Sequence, residues 1–218
     1  MTILTAVLSL LLPITFLGLL VGGGVYLFKN KGKIDFDLNT VYAAYLYLMI
    51  FISILTLGIG SVFAIKSTFT NFWGIEFSYR QNPVSSEPIY IDGEVKEVEE
   101  EYAYEADIEK RDLIRGITMV AISIPFLLLH CYAAKDLAKK KGTVSSIYKI
   151  YVTASLILFS IVSIISLPVG VYETLQFFLL EQPESVWDKI VPGEAVATAF
   201  TFVPVWVYYF LSFRKLQK

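Results

Sequence analysis

The 218-residue chain has one cysteine, Cys131, and one histidine, His130. A single cysteine excludes an intrachain disulfide. A zinc site needs three or four ligands and a Ser-His-Asp triad needs an orienting acid, so neither can be assembled around this one histidine within the membrane. A haem axial ligand needs only one imidazole, which makes His130 a candidate for cofactor binding. The alternative is an interfacial histidine bonded to a backbone carbonyl or to water.

Charged residues are absent from the middle of the long apolar runs. Five such runs cover residues 3–28, 41–65, 113–134, 147–172 and 195–211. Each is about long enough for a helix, rising ~1.5 Å per residue, to cross a bilayer core of roughly 30 Å. Continuous apolar runs favour helices over barrel strands. The sequence therefore predicts an all-α, polytopic bundle of five spans that lacks the usual residues for proton relays.

Basic residues gather after the first run, after the third run and at the C-terminus. These places hold 11 of the 18 lysines and arginines, namely Lys29, Lys31, Lys33, Lys135, Lys139, Lys140, Lys141, Lys149, Arg214, Lys215 and Lys218. The positive-inside rule then predicts an outside N-terminus and an inside C-terminus in a multi-pass protein of the cell membrane. The first run lacks a preceding basic region, so a retained anchor is favoured over a cleaved signal peptide.

An internal repeat is predicted from two matched features. Tyr42 and Tyr45 open the second run, and Tyr148 and Tyr151 open the fourth at the same spacing. The segment 124–130, with a proline and ending in His130, aligns with 203–209. The sequence thus predicts one extra helix followed by two helical hairpins. The tyrosine pairs alone are typical of an aromatic belt at the membrane interface.

These residues resemble a family of prokaryotic integral membrane proteins called domain of unknown function 5671. The resemblance covers roughly residues 39–215. It rests on a helix that begins with tyrosines, followed by a helix that contains a proline, apolar residues and a histidine and that ends in a basic residue. This pair of helices occurs twice. It implies a four-helix topology and no known activity, so residues 1–37 form an added helix and loop. His130 matches the family's histidine. Tyr209 stands at that place in the second copy, which counts against a role that needs two histidines.

The repeats divide the chain into segments. Residues 38–66 with 113–141 form the first predicted hairpin, 67–112 an acidic extracytoplasmic insert, and 142–218 the second hairpin. Pro125 and Pro204 fall at matched positions, so they predict either a kinked cleft at the midplane that could hold a ligand, or kinks that serve packing alone. Ser123 and Thr201 could bond the freed backbone. Near the outer ends, Arg115 and Glu173 could form an interfacial ion pair.

The insert is strongly acidic, with 12 acids and four bases in residues 67–112. Residues 88–95 predict a β-hairpin around Asp92 and Gly93, and the pattern turns helical from Glu97. Asp107 and Arg111 are spaced for a helical ion pair. A calcium site at Asp92 is conceivable, although the EF-hand spacing is absent. The alternative is a solvated acidic face that could dock a basic partner.

Three functions from different classes follow. The first is a non-catalytic accessory or scaffolding subunit of a membrane complex. The second is a small carrier or channel that passes a neutral or lipid-like solute through a cleft between the repeats, and the third is a haem-binding redox subunit using His130. The expected partners are membrane lipid and other membrane subunits or copies of the same chain. No nucleic acid, resident cofactor, metal or enzymatic activity is expected.

Overall fold

A computed structural model describes residues 38–84, 90–91, 94–95, 101–105, 107–141, 145–182 and 189–217. The first predicted span, at residues 3–28, lies outside these described residues, as does the turn residue Asp92. The described part of the chain is dominated by helices. Its α-helical character confirms the all-α class.

Four helices account for most of the described residues: α1 Leu38–Trp73, α2 Ile108–Lys141, α3 Ser145–Leu179 and α4 Gly193–Leu216. Each is long and apolar enough to cross a membrane. They correspond to the second to fifth predicted spans, and they make the chain a multi-pass membrane protein. Continuous helices suit this setting because lipid offers no partners for unpaired backbone groups.

All four helices are longer than their apolar runs, and three of them are also much longer than a bilayer core is thick. α1 has 36 residues, α2 has 34 and α3 has 35, which corresponds to about 50 Å against roughly 30 Å for the bilayer core. α1 continues eight residues past the apolar run, to Trp73, so the predicted insert is shorter at its start than residues 67–112. Pro125 and Pro204 lie inside continuous helices, α2 and α4.

The helices pack as two hairpins, α1 with α2 and α3 with α4, and α1 joins the two hairpins through contacts with α4 and α3. We call the end of the bundle at Trp73, Ile108, Leu179 and Gly193 the insert end, and the opposite end the basic end. α1 and α2 approach closely at Gly60 and Gly116. A Cβ at Gly116 would lie 2.6 Å from the backbone N of Ala64, so only glycine permits this crossing.

Short strands occur between α1 and α2. β1 Asn82–Val84 pairs antiparallel with β4 Glu101–Ala103, and β2 Tyr90–Ile91 pairs antiparallel with β3 Glu94–Val95. The inner pair confirms the predicted hairpin. Glu97, where a helical pattern was predicted to start, lies outside the described residues. From Glu101 onward the prediction is wrong, because Glu101–Ala103 form β4 and α2 begins only at Ile108.

Two buried clusters form the core of the bundle. The first lies between α1 and α2 and contains Ala43, Leu46, Ile50, Ala134 and Leu137. The second lies between α3 and α4 and contains Val152, Phe159, Val162, Phe202 and Tyr209. Within the second, the rings of Tyr151, Phe159, Phe202 and Tyr209 form what we call the aromatic layer. Tyr47 of α1 stacks on Tyr151 at 5.1 Å between ring centroids, which links the hairpins.

Candidate functional site

A buried ion pair joins α1 to α2 at the insert end. Lys66 Nζ lies 3.6 Å from Asp112 Oδ2, and the two side chains are only 15% and 10% exposed. A buried charge is costly unless it is paired, so each residue requires the other. An ionisable residue inside a membrane-spanning helix is also a functional-site candidate by default.

Tyr79 covers this ion pair from the segment that follows α1. Lys66 Nζ lies 4.3 Å from the centroid of the Tyr79 ring, within the range of a cation–π interaction. Burial raises the pKa of Tyr79 well above its ordinary value, and the carboxylate of Asp112 adds to the shift. Tyr79 is therefore neutral at physiological pH. We call Lys66, Asp112 and Tyr79 the ionic cluster.

Hydrogen bonds fasten the surrounding backbone to the same place. Ser67 Oγ donates to the carbonyl of Glu109 at 2.6 Å, which ties α1 to α2 beside the ion pair. Ser78 Oγ donates to the carbonyl of Lys66 at 2.8 Å. Gly193 packs directly on Ser78, since a Cβ there would lie 2.6 Å from Ser78 Oγ. The segment 74–81 is thus fixed across the insert end, from α1 to the start of α4.

Sequence reasoning missed the ionic cluster, although a signal was present. Lys66 directly follows the apolar run 41–65, and Asp112 directly precedes the run 113–134. A base and an acid at facing ends of an antiparallel hairpin are placed to pair. Hydropathy placed Lys66 at the end of the first hairpin segment, 38–66, and Asp112 in the insert, because it does not show that the helices continue past the apolar runs and bring the two side chains together.

The structure does not bring Arg115 and Glu173 together. Arg115 Nη1 lies 3.5 Å from Asp112 Oδ1, and its guanidinium lies 5.2 Å from the ring centroid of Phe63. Glu173 belongs to α3, which packs on α4 rather than on α2. The predicted interfacial pair of Arg115 with Glu173 is therefore wrong, because Arg115 pairs with Asp112 instead.

The predicted ion pair of Asp107 with Arg111 is also replaced. Asp107 pairs with Lys110 at 2.6 Å, and Arg111 pairs with Glu105. Asp107 stands just before α2 and has a φ of 55°. Its backbone carbonyl accepts a hydrogen bond from the backbone N of Arg111 at 2.9 Å, as helical spacing requires, but its carboxylate reaches Lys110 instead of the Arg111 side chain.

A polar pocket of about 420 Å³ adjoins the ionic cluster. It lies between the segment 76–81, the end of α3, Tyr104 and the residues that precede α4. Arg80 Nη2 donates to the carbonyl of Lys189 at 3.0 Å, and the backbone N of Ile190 donates to Gln182 Oε1 at 3.2 Å. Burial raises the pKa of Tyr104, and the carboxylate of Glu76 adds to the shift, so this phenol is neutral.

An apolar groove of about 460 Å³ lies between α3 and α4. Its lining includes Leu167, Gly170 and Thr174 of α3 and Phe200 and Pro204 of α4. Pro204 thus lines a cavity, as a ligand cleft requires. The cavity lies within the second hairpin, however, and not between the two repeats.

Pro125 lies away from this groove. It is exposed on α2, and α2 contributes no residue to the lining. Ser123 and Thr201 do bond backbone carbonyls, but those of Met119 and Ala197. These are the ordinary i−4 bonds of helical serine and threonine, and the carbonyls that the prolines free are at other positions.

His130 is buried, with 7% of its surface exposed, on the inner face of α2. Its Nδ1 lies 2.7 Å from the carbonyl oxygen of Phe126, one turn earlier in the same helix. The rings of Tyr45 and Phe126 flank the imidazole at centroid distances of 5.9 and 6.2 Å. The predicted bond between His130 and a backbone carbonyl is thus present. Cys131, its neighbour, is a half-buried free thiol.

The two tyrosine pairs have different environments. Tyr42 and Tyr45 are exposed, as an aromatic belt requires. Tyr151 instead faces the bundle interior, where its hydroxyl is hydrogen-bonded to that of Tyr209. Tyr209 is 1% exposed and also stacks on Phe159 at 5.4 Å. The belt interpretation is therefore wrong for Tyr151, because this residue lies on the face of α3 that packs against α4.

Within the described ranges, no three His, Cys, Asp or Glu side chains are grouped in a way that could hold a metal ion. The chain was also compared with protein-family models, with curated proteins and with solved structures, and no match was found in any of them.

Proposed function

We propose that the chain is a non-catalytic accessory or scaffolding subunit of a complex in the cell membrane. The observation that carries the proposal is the filled interior. The aromatic layer fills the space between α3 and α4 on the basic-end side of the apolar groove, with Phe159 0% exposed between Phe202 and Tyr209. Close-packed rings offer no path for a solute at that depth and give a rigid body on which another subunit can assemble.

The outer face of α2 supports the proposal. Only 17% of its most apolar stretch is buried within the chain, compared with 39% for α3. Large side chains such as Leu128, Leu129 and Tyr132 point outward from it. Helix association in membranes depends on close side-chain packing, so this face is the best placed to receive a partner helix.

An internal repeat is part of the same proposal. Tyr45 meets His130 edge-on at 5.9 Å in the first hairpin, and Tyr151 meets Tyr209 edge-on at 5.7 Å in the second. These four residues are the ones that the sequence alignment makes equivalent. The likeness supports a duplicated hairpin and, with it, the resemblance to domain of unknown function 5671. The extra first span and an outside N-terminus complete the proposed topology.

The partner is tested by photo-crosslinking in native membranes. A benzophenone amino acid replaces Leu129 on α2 or, as the matched position, Ile164 on α3, which is similarly exposed. We expect one protein adduct at Leu129, identified by mass spectrometry and co-eluting in near-stoichiometric amount with the wild-type chain in mild detergent. Adducts with lipid alone at both positions, together with elution of the chain by itself, would reject the scaffolding proposal.

A small carrier for a lipid-like solute is the second candidate, and the apolar groove at Pro204 favours it. Ala199 also lines this groove. If the groove is the path, Ala199→Phe should abolish flux of a fluorescent phospholipid analogue across proteoliposome membranes, while Pro125→Ala should leave it unchanged. Flux that is insensitive to Ala199→Phe and to Pro204→Ala would exclude a carrier that uses this groove.

A further inference from the structure

The polar pocket and the apolar groove lie one above the other on the α3–α4 hairpin. Thr174 and Leu175 line the groove, and Phe177 lines the pocket. Two or three residues of helix correspond to about 3–4.5 Å along the axis. The groove lies at the depth of the apolar spans, whereas the pocket lies where α3 ends and α4 begins. This is the order of chain and headgroup in a membrane lipid.

The pocket supplies donors for an acidic group. Arg80 and Lys189 both line it. Among the described residues, Arg80 donates one hydrogen bond, to a backbone carbonyl, and its guanidinium carries further N–H groups. Within the same residues, Lys189 Nζ makes a long contact of 3.5 Å, with Gln81 Oε1. Two cations that share one pocket are typical of a site that binds phosphate.

Gln182 adds a third donor. Its Oε1 accepts a hydrogen bond from the backbone N of Ile190, so the amide oxygen is already paired and the amide nitrogen is the atom that can donate to a ligand. Its Nε2 is buried and has no hydrogen-bond partner in the part of the chain that the structure describes. A buried donor without a partner destabilises the protein, and a ligand oxygen would remove that cost.

The pocket also contains an acid. Glu76 lines it together with Arg80 and Lys189. A purely anionic headgroup would meet this carboxylate unfavourably. A headgroup with both a phosphate and an ammonium group matches both signs of charge.

We infer that the α3–α4 hairpin binds one phospholipid with a zwitterionic, ammonium-bearing headgroup. Its phosphate contacts Arg80, Lys189 and Gln182, its ammonium group contacts Glu76, and one acyl chain fills the groove past Ala199. This site goes beyond the proposed function, since either a scaffold or a carrier could contain it. Acyl chains of any lipid can fill an apolar groove in a bilayer. The selectivity for one lipid therefore comes from the polar pocket.

The test is native mass spectrometry of the delipidated chain in detergent, titrated with four probes. They are phosphatidylethanolamine, phosphatidylglycerol with the same chains, diacylglycerol, and water-soluble phosphoethanolamine. We expect one molecule of phosphatidylethanolamine to bind at least about tenfold more tightly than each of the other three, which corresponds to one or two charge-assisted hydrogen bonds.

Variants distinguish the contribution of the headgroup contacts to binding from that of the acyl-chain groove. Arg80→Gln with Lys189→Gln should weaken phosphatidylethanolamine binding at least about tenfold, and Glu76→Gln should remove the preference over phosphatidylglycerol. Ala199→Phe should weaken binding of the lipid but not of phosphoethanolamine. Lys135→Gln with Lys139→Gln is the matched control, because both lysines are exposed at the basic end. Circular dichroism verifies that each variant is folded, and Lys189→Gln alone serves if the double variant is not.

Three results would overturn the inference. The first is equal binding of all three lipids, which would make the groove an unselective contact with the bilayer. The second is unchanged binding of phosphatidylethanolamine by folded variants of Arg80 and Lys189. The third is phosphoethanolamine bound as tightly as the lipid, which would make the pocket a site for a soluble headgroup-like compound.

Discussion

Replacement of Asp112 with asparagine is expected to lower the free energy of unfolding by about 3–5 kcal/mol. The reason is that Lys66 would keep its charge in a place where its side chain is 15% exposed, with no counter-charge at 3.6 Å. The pair also connects α1 to α2 and supports Tyr79, so the first hairpin should loosen at the insert end. Titration with SDS in mixed micelles, followed by circular dichroism, measures the change.

A double variant distinguishes the effect of an unpaired charge on stability from the effect of altered side-chain packing. Lys66→Met combined with Asp112→Leu removes both charges, and replacement of a buried ion pair by apolar residues of similar volume is often neutral or stabilising. We therefore expect it to recover most of the lost stability. Asp107→Asn is the control, because Asp107 is an exposed acid paired with Lys110. An Asp112→Asn variant within about 0.5 kcal/mol of wild type would show that the ion pair is not required.

Phe159→Ala is expected to cost about 2–4 kcal/mol through the cavity that it leaves. Phe159 is completely buried, and its ring stacks on Phe202 at 5.7 Å and on Tyr209 at 5.4 Å. In a bilayer the transfer of apolar surface contributes little, because lipid is also apolar, so the loss of packing dominates. The same SDS titration measures the effect.

Phe126→Ala is the matched control for the aromatic layer. It removes the same side chain from α2, where half of that side chain is exposed. Lipid can fill the space that it leaves, so we expect a change of less than about 1 kcal/mol. Equal losses from both variants would mean that the aromatic layer has no special part in holding the second hairpin together, and the scaffolding proposal would lose its main support.

Much of the fold could be predicted from apolar run length. The runs at 41–65, 113–134, 147–172 and 195–211 became α1 to α4, because a continuous apolar segment in lipid has helix as its only self-sufficient backbone structure. The inner strand pair of the insert followed from Asp92 and Gly93, a dipeptide whose backbone preference suits a two-residue hairpin turn. The backbone bond of His130 followed from its position within a helix, where carbonyls lie within reach.

The candidate sites could be predicted only in part. Pro204 was selected by its match with Pro125, and it does line a groove, but the partner wall of that groove is α3 of its own hairpin. Arg115 was paired with Glu173 by depth in the membrane alone, and depth does not say which helices are neighbours. A short motif gives the position of a residue along a helix, whereas its partners depend on how the helices are rotated.

The amino-acid sequence by itself determined the membrane class, the four described spans and the acidic character of the insert. Each of these depends on local composition, which requires no knowledge of neighbours. Tertiary structure alone decided that Lys66 meets Asp112, that Tyr151 meets Tyr209, and that the segment 74–81 crosses from α1 to Gly193. These contacts join residues that are far apart in the chain, and the close approach at Gly60 and Gly116 helps to set the geometry that brings them together.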